Sequence, residues 1–208
     1  MSQLVTLARL LQLASPALPV GAYSYSQGLE AAVEAGIVKD AASAEGWIAD
    51  VLELCVARME APILWKLMQG EPLNELFLAS RESAELRAET LQMGHSLCTL
   101  LKQLDVAPLP SGEVAFPSAF AAAVLAWKIE PREALIAYLW SWLENQVMAA
   151  IKTVPLGQTA GQRILLSLGG RLELIAEEVC NAEFNNFAPG LAMLSSQHES
   201  QYSRLFRS

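Results

Sequence analysis

A chain of 208 residues that is 53% hydrophobic and only 17% charged has the material for one large buried core, which excludes a wholly disordered polypeptide and makes a single domain the expectation. Its 22 acidic residues outnumber its 14 basic ones, for a formal net charge of -8, so the surface repels phosphate backbones and anionic lipid and no nucleic-acid partner is expected. The apolar stretch 114–127 contains Pro117 and falls short of the roughly 20 residues that a membrane-spanning helix requires, so no membrane association is expected either.

The leading helix is short and amphipathic, with Leu4, Leu7, Leu10 and Leu11 at helical spacing. Ser15-Pro16 stops it, because a residue before proline is pushed out of the helical region. Arg9 and Gln12 interrupt the stretch and no positive residue precedes it, so it does not read as a signal peptide and the chain is expected to be cytoplasmic. A loop with Pro16, Pro19 and Gly21 follows. Ser24, with Gln27 three residues on, matches a capping box and predicts a helix over 24–36, ended by Gly36. The next helix begins near Asp40 or Ser43 and carries Trp47, Val51, Leu54 and Arg58 at 4-3-4 spacing. Pro62 kinks it by removing one backbone bond, and Gly70 ends it. Beyond Pro72 an amphipathic region runs to Leu104, and its charges at Arg81, Glu82, Glu85, Arg87 and Glu89 read as a solvated face.

Residues 105–117, with Pro108, Pro110, Gly112 and Pro117, form the clearest break in the chain. They read as a loop rather than a domain boundary, since either half alone would leave its apolar faces unpaired. Helices over 118–129 and 131–152 come next, the second apolar nearly all round and therefore central or covered by a partner. Val154-Pro155 breaks the chain, 157–168 forms a helix stopped by Gly169-Gly170, and 171–181 forms the last one. From Asn185 onward large apolar residues are sparse until Tyr202, Leu205 and Phe206. The fold class is thus all-α. A single-domain helical bundle of about eight to ten helices spans 1–184, and a tail, 185–208, is left to order on a partner.

Catalytic and cofactor signatures are missing from the sequence: there is no GxGxxG, GxxxxGK[ST], HExxH or GxSxG. No enzyme activity, cofactor or resident metal is expected. His95 and Cys98 lie one helical turn apart and suit nickel or zinc, but two ligands make no site, and the only other histidine, His198, belongs to the tail. Cysteines 55, 98 and 180 are widely spaced and form no CxxC pair, which fits a reducing compartment. Glu30 and Glu34, four apart on a helix, read as a solvent-facing pair rather than a catalytic one. Tyr23, Ser24, Tyr25 and Ser26 offer hydroxyls without a nearby base, which suits capping, loop bonding or contact with a partner.

Four blocks carry a family resemblance. Residues 10–31, LLQLASPALPVGAYSYSQGLEA, contain Ser-Pro-x-Leu-Pro-x-Gly and then aromatic-Ser-x-Ser-x-Gly-Leu-Glu. Residues 87–97 carry Arg-x-x-Thr-x-x-Met-Gly, 154–165 carry Pro-Leu-Gly-Gln-Thr-x-Gly-Gln-Arg, and 198–208 read HESQYSRLFRS. In this order they resemble the UreF family of urease accessory proteins. One departure is that 112–115, before Phe116, lacks the His-Tyr-Pro-like run of many members. The resemblance implies an all-helical, non-catalytic chaperone component of nickel insertion that binds UreD (also called UreH) and recruits the GTPase UreG to apo-urease. It also implies a homodimer.

On that reading, partner contact falls to Tyr23, Ser24, Tyr25, Gln27 and Glu30 and, in the tail, to His198, Tyr202, Arg204, Leu205, Phe206 and Arg207. The first group faces UreG or the tail of the same chain. In the tail, Tyr202, Leu205 and Phe206 act as apolar anchors and Arg204 and Arg207 as ion-pairing groups. Gln158, Thr159, Gln162 and Arg163 form either a buried polar network or a self-association surface. Two alternative functions stay open. One is regulation of GTP hydrolysis by UreG through an arginine such as Arg163 or Arg204, and the other is direct nickel carriage by His95, Cys98 or His198.

Overall fold

Capping chemistry sets many of the helix ends in the computed structural model, which describes residues 3–208; residues 1 and 2 of the expected 1–184 unit lie outside the described residues. All regular structure among the described residues is helical, so the chain is all-α. After α1 (Gln3–Ala14) the chain turns through a single 3-10 turn at Ala22–Ser24 into α2 (Leu29–Glu34). The expected capping box at Ser24 does not form, and the helix starts five residues later. Gln27 and Gly28 both take left-handed backbone, which interrupts a right-handed helix over 24–28, and Gly28 in that conformation is the residue that precedes α2. Asp40 does form a capping box, with Ser43, at the head of α3 (Ala41–Val51).

Pro62 was expected to kink the helix, and what the structure shows before it is a change of winding. The helix continues from α3 through a π-wound segment, Leu52–Glu60, into α4 (Ala61–Leu67). Pro62 has no N–H to offer the Arg58 carbonyl four residues earlier, and that carbonyl instead accepts from the amide of Asn185, at 2.9 Å. A helix defect thereby anchors the start of the tail.

The amphipathic region after Pro72 is two helices, α5 (Asn74–Ala79) and α6 (Ala84–Gln103), because Ser83 caps the second by accepting from the Leu86 amide. Then come α7 (Phe116–Trp127), α8 (Pro131–Thr153), α9 (Gln158–Gly169) and α10 (Leu172–Val179). A further helix, α11 (Pro189–His198), lies in the 185–208 segment that was expected to order on a partner.

α8 is the central element, packed against α1, α2, α3, α4, α9 and α10. Its Tyr138 sits in an aromatic cluster with Phe116 and Phe120 of α7, at ring-centroid separations of 5.6 and 5.0 Å. The main core draws residues from before and after the 105–117 segment, from Leu13 to Phe206.

The Arg-x-x-Thr-x-x-Met-Gly block has a packing explanation, since it is the seam between α6 and the start of α7. Arg87 donates to the Leu78 carbonyl and pairs with Glu113, and Thr90 Oγ1 accepts from the Phe116 amide at 2.9 Å. A Cβ on Gly94 would lie 2.0 Å from the Val114 carbonyl oxygen, so only glycine lets the two backbones approach this closely.

Candidate functional site

The turn at 21–28 is held from both sides. Leu18 and Val20 are buried before it, and Gly21 supplies a left-handed residue. Gln27, whose φ of 51° is unusual for a residue with a Cβ, is fixed by its side chain: it accepts from Trp142 Nε1 and donates to Glu89 Oε1, both at 2.7 Å. Gly28, at φ 80°, also faces the tail helix; a Cβ there would meet Leu191 Cδ1 at 3.1 Å.

The tail is folded back onto this turn. Sparse apolar content made it look unsupported, yet its docking is largely polar. Ser195 and Ser83 share a buried hydrogen bond of 2.6 Å. His198, with no exposed surface, lies with Nδ1 2.6 Å from Glu85 Oε2 and Nε2 3.2 Å from Glu30 Oε2. Arg204 pairs with the other Glu85 oxygen at 2.5 Å. The Glu30 carboxylate also accepts the amides of Leu205 and Phe206, at 2.7 and 2.9 Å. The Ser208 carbonyl oxygen receives the Ser26 hydroxyl and the amides of Ser26 and Gln27, and the Ser208 hydroxyl donates to Glu89 at 2.7 Å. Phe206 is buried beneath Lys152, whose ammonium lies 5.5 Å from the ring centroid.

Behind this cluster is a cavity of about 200 Å³ whose lining includes Leu13, Leu18, Phe116, Trp142, Gln27 and Glu89. At its inner end Tyr138 donates to Glu60, which also faces Arg81 at 3.5 Å. Burial pushes the Glu89 carboxyl up to about 7, against the lowering effect of bonds from Ser208 and Gln27. Burial raises the Tyr138 hydroxyl well above its ordinary value, and the adjoining Glu60 charge adds to that; Tyr25 is raised by burial and by Glu89, with Arg207 opposing. In Glu144, which also lines the cavity, burial raises the carboxyl as well.

The structure joins most of the residues expected to contact a partner into one patch, but spends several on contacts within the chain. Ser24 accepts the Arg207 amide at 2.8 Å, Tyr25 is buried, and Gln27, Glu30, His198, Arg204 and Phe206 all have partners in their own chain. Tyr202 is fully exposed at 104%, Leu205 is 72% exposed, and Tyr23 is 66% exposed. Phe206 is thus an anchor for its own core, not a surface anchor, and Glu30 points inward rather than forming a solvent-facing pair with the exposed Glu34.

Two further expectations are corrected, and the candidate metal ligands lie apart. Gln158, Thr159, Gln162 and Arg163 are all exposed, so they form no buried network. His95 and Cys98 share a cleft with Lys102 and Glu113, but His198 is buried elsewhere between Glu30 and Glu85. Among the described residues no three His, Cys, Asp or Glu side chains converge to hold a metal. Burial raises the Cys98 thiol and takes that of Cys55 to about 11. Finally, Arg81, Glu85 and Glu89 belong to no solvated face, since all three side chains turn inward. The spacing of Glu85 and Glu89, four apart as Glu30 and Glu34 are, was the only sign of that buried stripe. Glu60, far in sequence from Tyr138 and Trp142 of α8, gave none.

Comparison with known proteins places this geometry in a family. A family model described as UreF matches residues 38–169. A urease accessory protein UreF from Azoarcus sp. (strain BH72) is 57% identical over 226 residues, spanning 99% of this chain and 97% of that protein. Its counterpart from Dechloromonas aromatica (strain RCB) is 53% identical over 231 residues, covering 100% of both. That from Janthinobacterium sp. (strain Marseille) is 49% identical over 225 residues, at 99% and 100% coverage. The full-length matches take in both halves of the polar cluster, 23–30 and 198–208, which lie outside the family model. With its four motif blocks, its all-helical fold and this likeness along the whole chain, the protein belongs to the UreF family of urease accessory proteins.

Proposed function

We propose that this chain is a non-catalytic adaptor of urease maturation in the cytoplasm: it binds the UreD (UreH) chaperone and, with it, recruits the GTPase UreG to apo-urease so that nickel can be inserted. The observation that carries the reading is the presentation of Tyr202 and Leu205. Both are exposed, yet each sits in a segment whose neighbours His198, Phe206 and Ser208 are buried. Apolar anchors held on a fixed platform lose little conformational freedom on binding, which is what a docking surface requires. Tyr23 adds a third exposed anchor and a second ring, next in sequence to Ser24, which accepts the Arg207 amide.

The test is co-expression with the UreD homologue, followed by size-exclusion chromatography with light scattering. The unaltered chain should co-elute with UreD. A Tyr202→Ala/Leu205→Ala double variant, which alters only exposed side chains, should lose at least tenfold in affinity while keeping its melting temperature. Failure of the unaltered chain to bind UreD would overturn the adaptor role, and undiminished binding by the variant would move the contact away from the tail.

A further inference from the structure

The cavity behind the tail is a slot that follows one face of α8. Tyr138, Ser141, Trp142, Asn145, Met148 and Lys152 all line it, one or two residues from each turn, so it accompanies the helix for roughly 21 Å at a rise of about 1.5 Å per residue. Leu13 and Leu18 from α1 and its exit, with Met93 and Phe116 from the seam of α6 and α7, make the walls largely apolar. The two ends differ. Tyr138, Glu60 and Glu89 are buried, whereas Met148 and Lys152, with Pro16 and Tyr23, are exposed, so the slot reaches solvent where α8 ends. Its volume of about 200 Å³ exceeds by roughly tenfold the space one ordered water needs, and apolar walls offer water few partners.

The inner end holds a donor that the chain does not use. Arg81 lines the slot there; its Nη1 reaches Glu60 at 3.5 Å, and its guanidinium lies 4.3 Å from the ring centroid of Phe77. Its Nε is buried and has no hydrogen-bond partner among the described residues. Buried N–H groups are nearly always bonded, so this one marks a place for an acceptor. We propose that the slot binds one molecule of a single-chain amphiphile with an uncharged, oxygen-bearing head, such as an alcohol or an ester, its chain lying along α8 and its head oxygen accepting from Arg81 Nε.

The charges at that end select the head. Arg81 is already opposed by Glu60, and Glu89 lines the same end, so a carboxylate or phosphate head would add a negative charge to a buried site that has no cation to spare. An ammonium head carries donors only and leaves the Arg81 N–H unmet. A hydroxyl or ester oxygen meets it without bringing a charge. The walls select the chain. An extended peptide would bring a polar backbone group against Leu13, Leu18, Met93 and Phe116 at every residue, whereas a hydrocarbon chain asks nothing of them. This site lies beyond the adaptor role and does not rest on it, since neither Tyr202 nor Leu205 lines the slot.

Isothermal titration of the full chain with 1-octanol tests this, with 1-hexanol and octanoate as comparisons. 1-Octanol should saturate one site per chain and bind at least tenfold more tightly than 1-hexanol, since each methylene buried is worth about fourfold. Octanoate, with the same reach but a charged head, should bind at least tenfold more weakly than 1-octanol. Ser141→Phe sets a ring into the slot from the middle of its α8 wall and removes only a bond to the Tyr138 carbonyl of its own helix. It should lose at least tenfold in affinity for 1-octanol while keeping its melting temperature. Should that variant fail to fold, Ala14→Phe obstructs the slot from α1 and takes its place. No saturable binding of 1-octanol below about 1 mM would overturn the proposal. So would octanoate binding as tightly as 1-octanol, or undiminished binding by a folded, obstructed variant. None of these results depends on UreD binding.

Discussion

Glu89 is the residue at which burial and charge conflict most directly. Among the described residues its side chain accepts from two donors, Ser208 Oγ and Gln27 Nε2, and 5% of its surface reaches solvent. With the carboxyl at about 7 in the folded chain against 4.5 when unfolded, the protonated form is favoured by folding. Stability from this group is therefore complete below pH 4.5, declines as pH rises, and is gone above about 7; the loss between pH 5 and 8 is roughly 2–3 kcal/mol. Glu89→Gln should flatten that part of the pH profile, so that urea midpoints of variant and unaltered chain diverge toward pH 8, with the variant the more stable. Parallel profiles would show that the buried carboxyl does not titrate in this range. At this scale the sequence was legible in part. The turn at 23–30 and the residues of 198–208 stood out as blocks, but the inward direction of Glu30, Glu85 and Glu89 did not. Carboxylates four apart on a helix look alike whether they face water or a docked segment, and only the tail's return path distinguishes the two.

Among elements, the seam of α6 and α7 is where sequence and packing agree most closely. Gly94→Ala places a Cβ against main chain, the Val114 carbonyl, and not against a flexible side-chain tip, so the two helices must part. The expected cost is about 3 kcal/mol, a fall in melting temperature of roughly 6–12 °C for a chain of this size. A shift under 2 °C by calorimetry would mean that the 105–117 segment yields freely. The helices with strong punctuation were readable: α8 was expected over 131–152 and runs Pro131–Thr153, and the Asp40 cap opens α3. α11 was missed because its support comes from Gly28, Ser83 and the carboxylates of other helices, not from its own apolar period. The 24–36 helix was placed too early, since the Ser24–Gln27 spacing imitates a capping box while Gln27 is bound instead to Trp142 and Glu89.

For the molecule as a whole, the all-α class followed from helical periods along the entire chain, whereas the return of the tail to the 24–30 turn is a long-range closure that no local pattern encodes. What the fold leaves outside bears on self-association. α9 seats its inner face tightly on α8, where a Cβ on Gly161 would meet Ile151 Cδ1 at 2.4 Å. Its outer face carries Leu166, 82% exposed, with Gln162 and Arg163 one turn before it and Gln158 and Thr159 beyond them. An apolar centre with a polar rim on a rigid helix has the anatomy of an interface, and a twofold contact would place Leu166 against its own copy. A specific dimer needs about 800 Å² from each protomer, so this face must recruit neighbouring surface, but its centre is the place to break it. Light scattering on the isolated chain should give a mass twice 22.5 kDa, and Leu166→Glu should return it to 22.5 kDa with its helical circular dichroism unchanged. A charge placed on the twofold axis faces its like across the contact, so the effect should weaken as salt is raised. A variant that stays dimeric at low salt would show that the contact uses another face and leave the polar residues of α9 for a different partner.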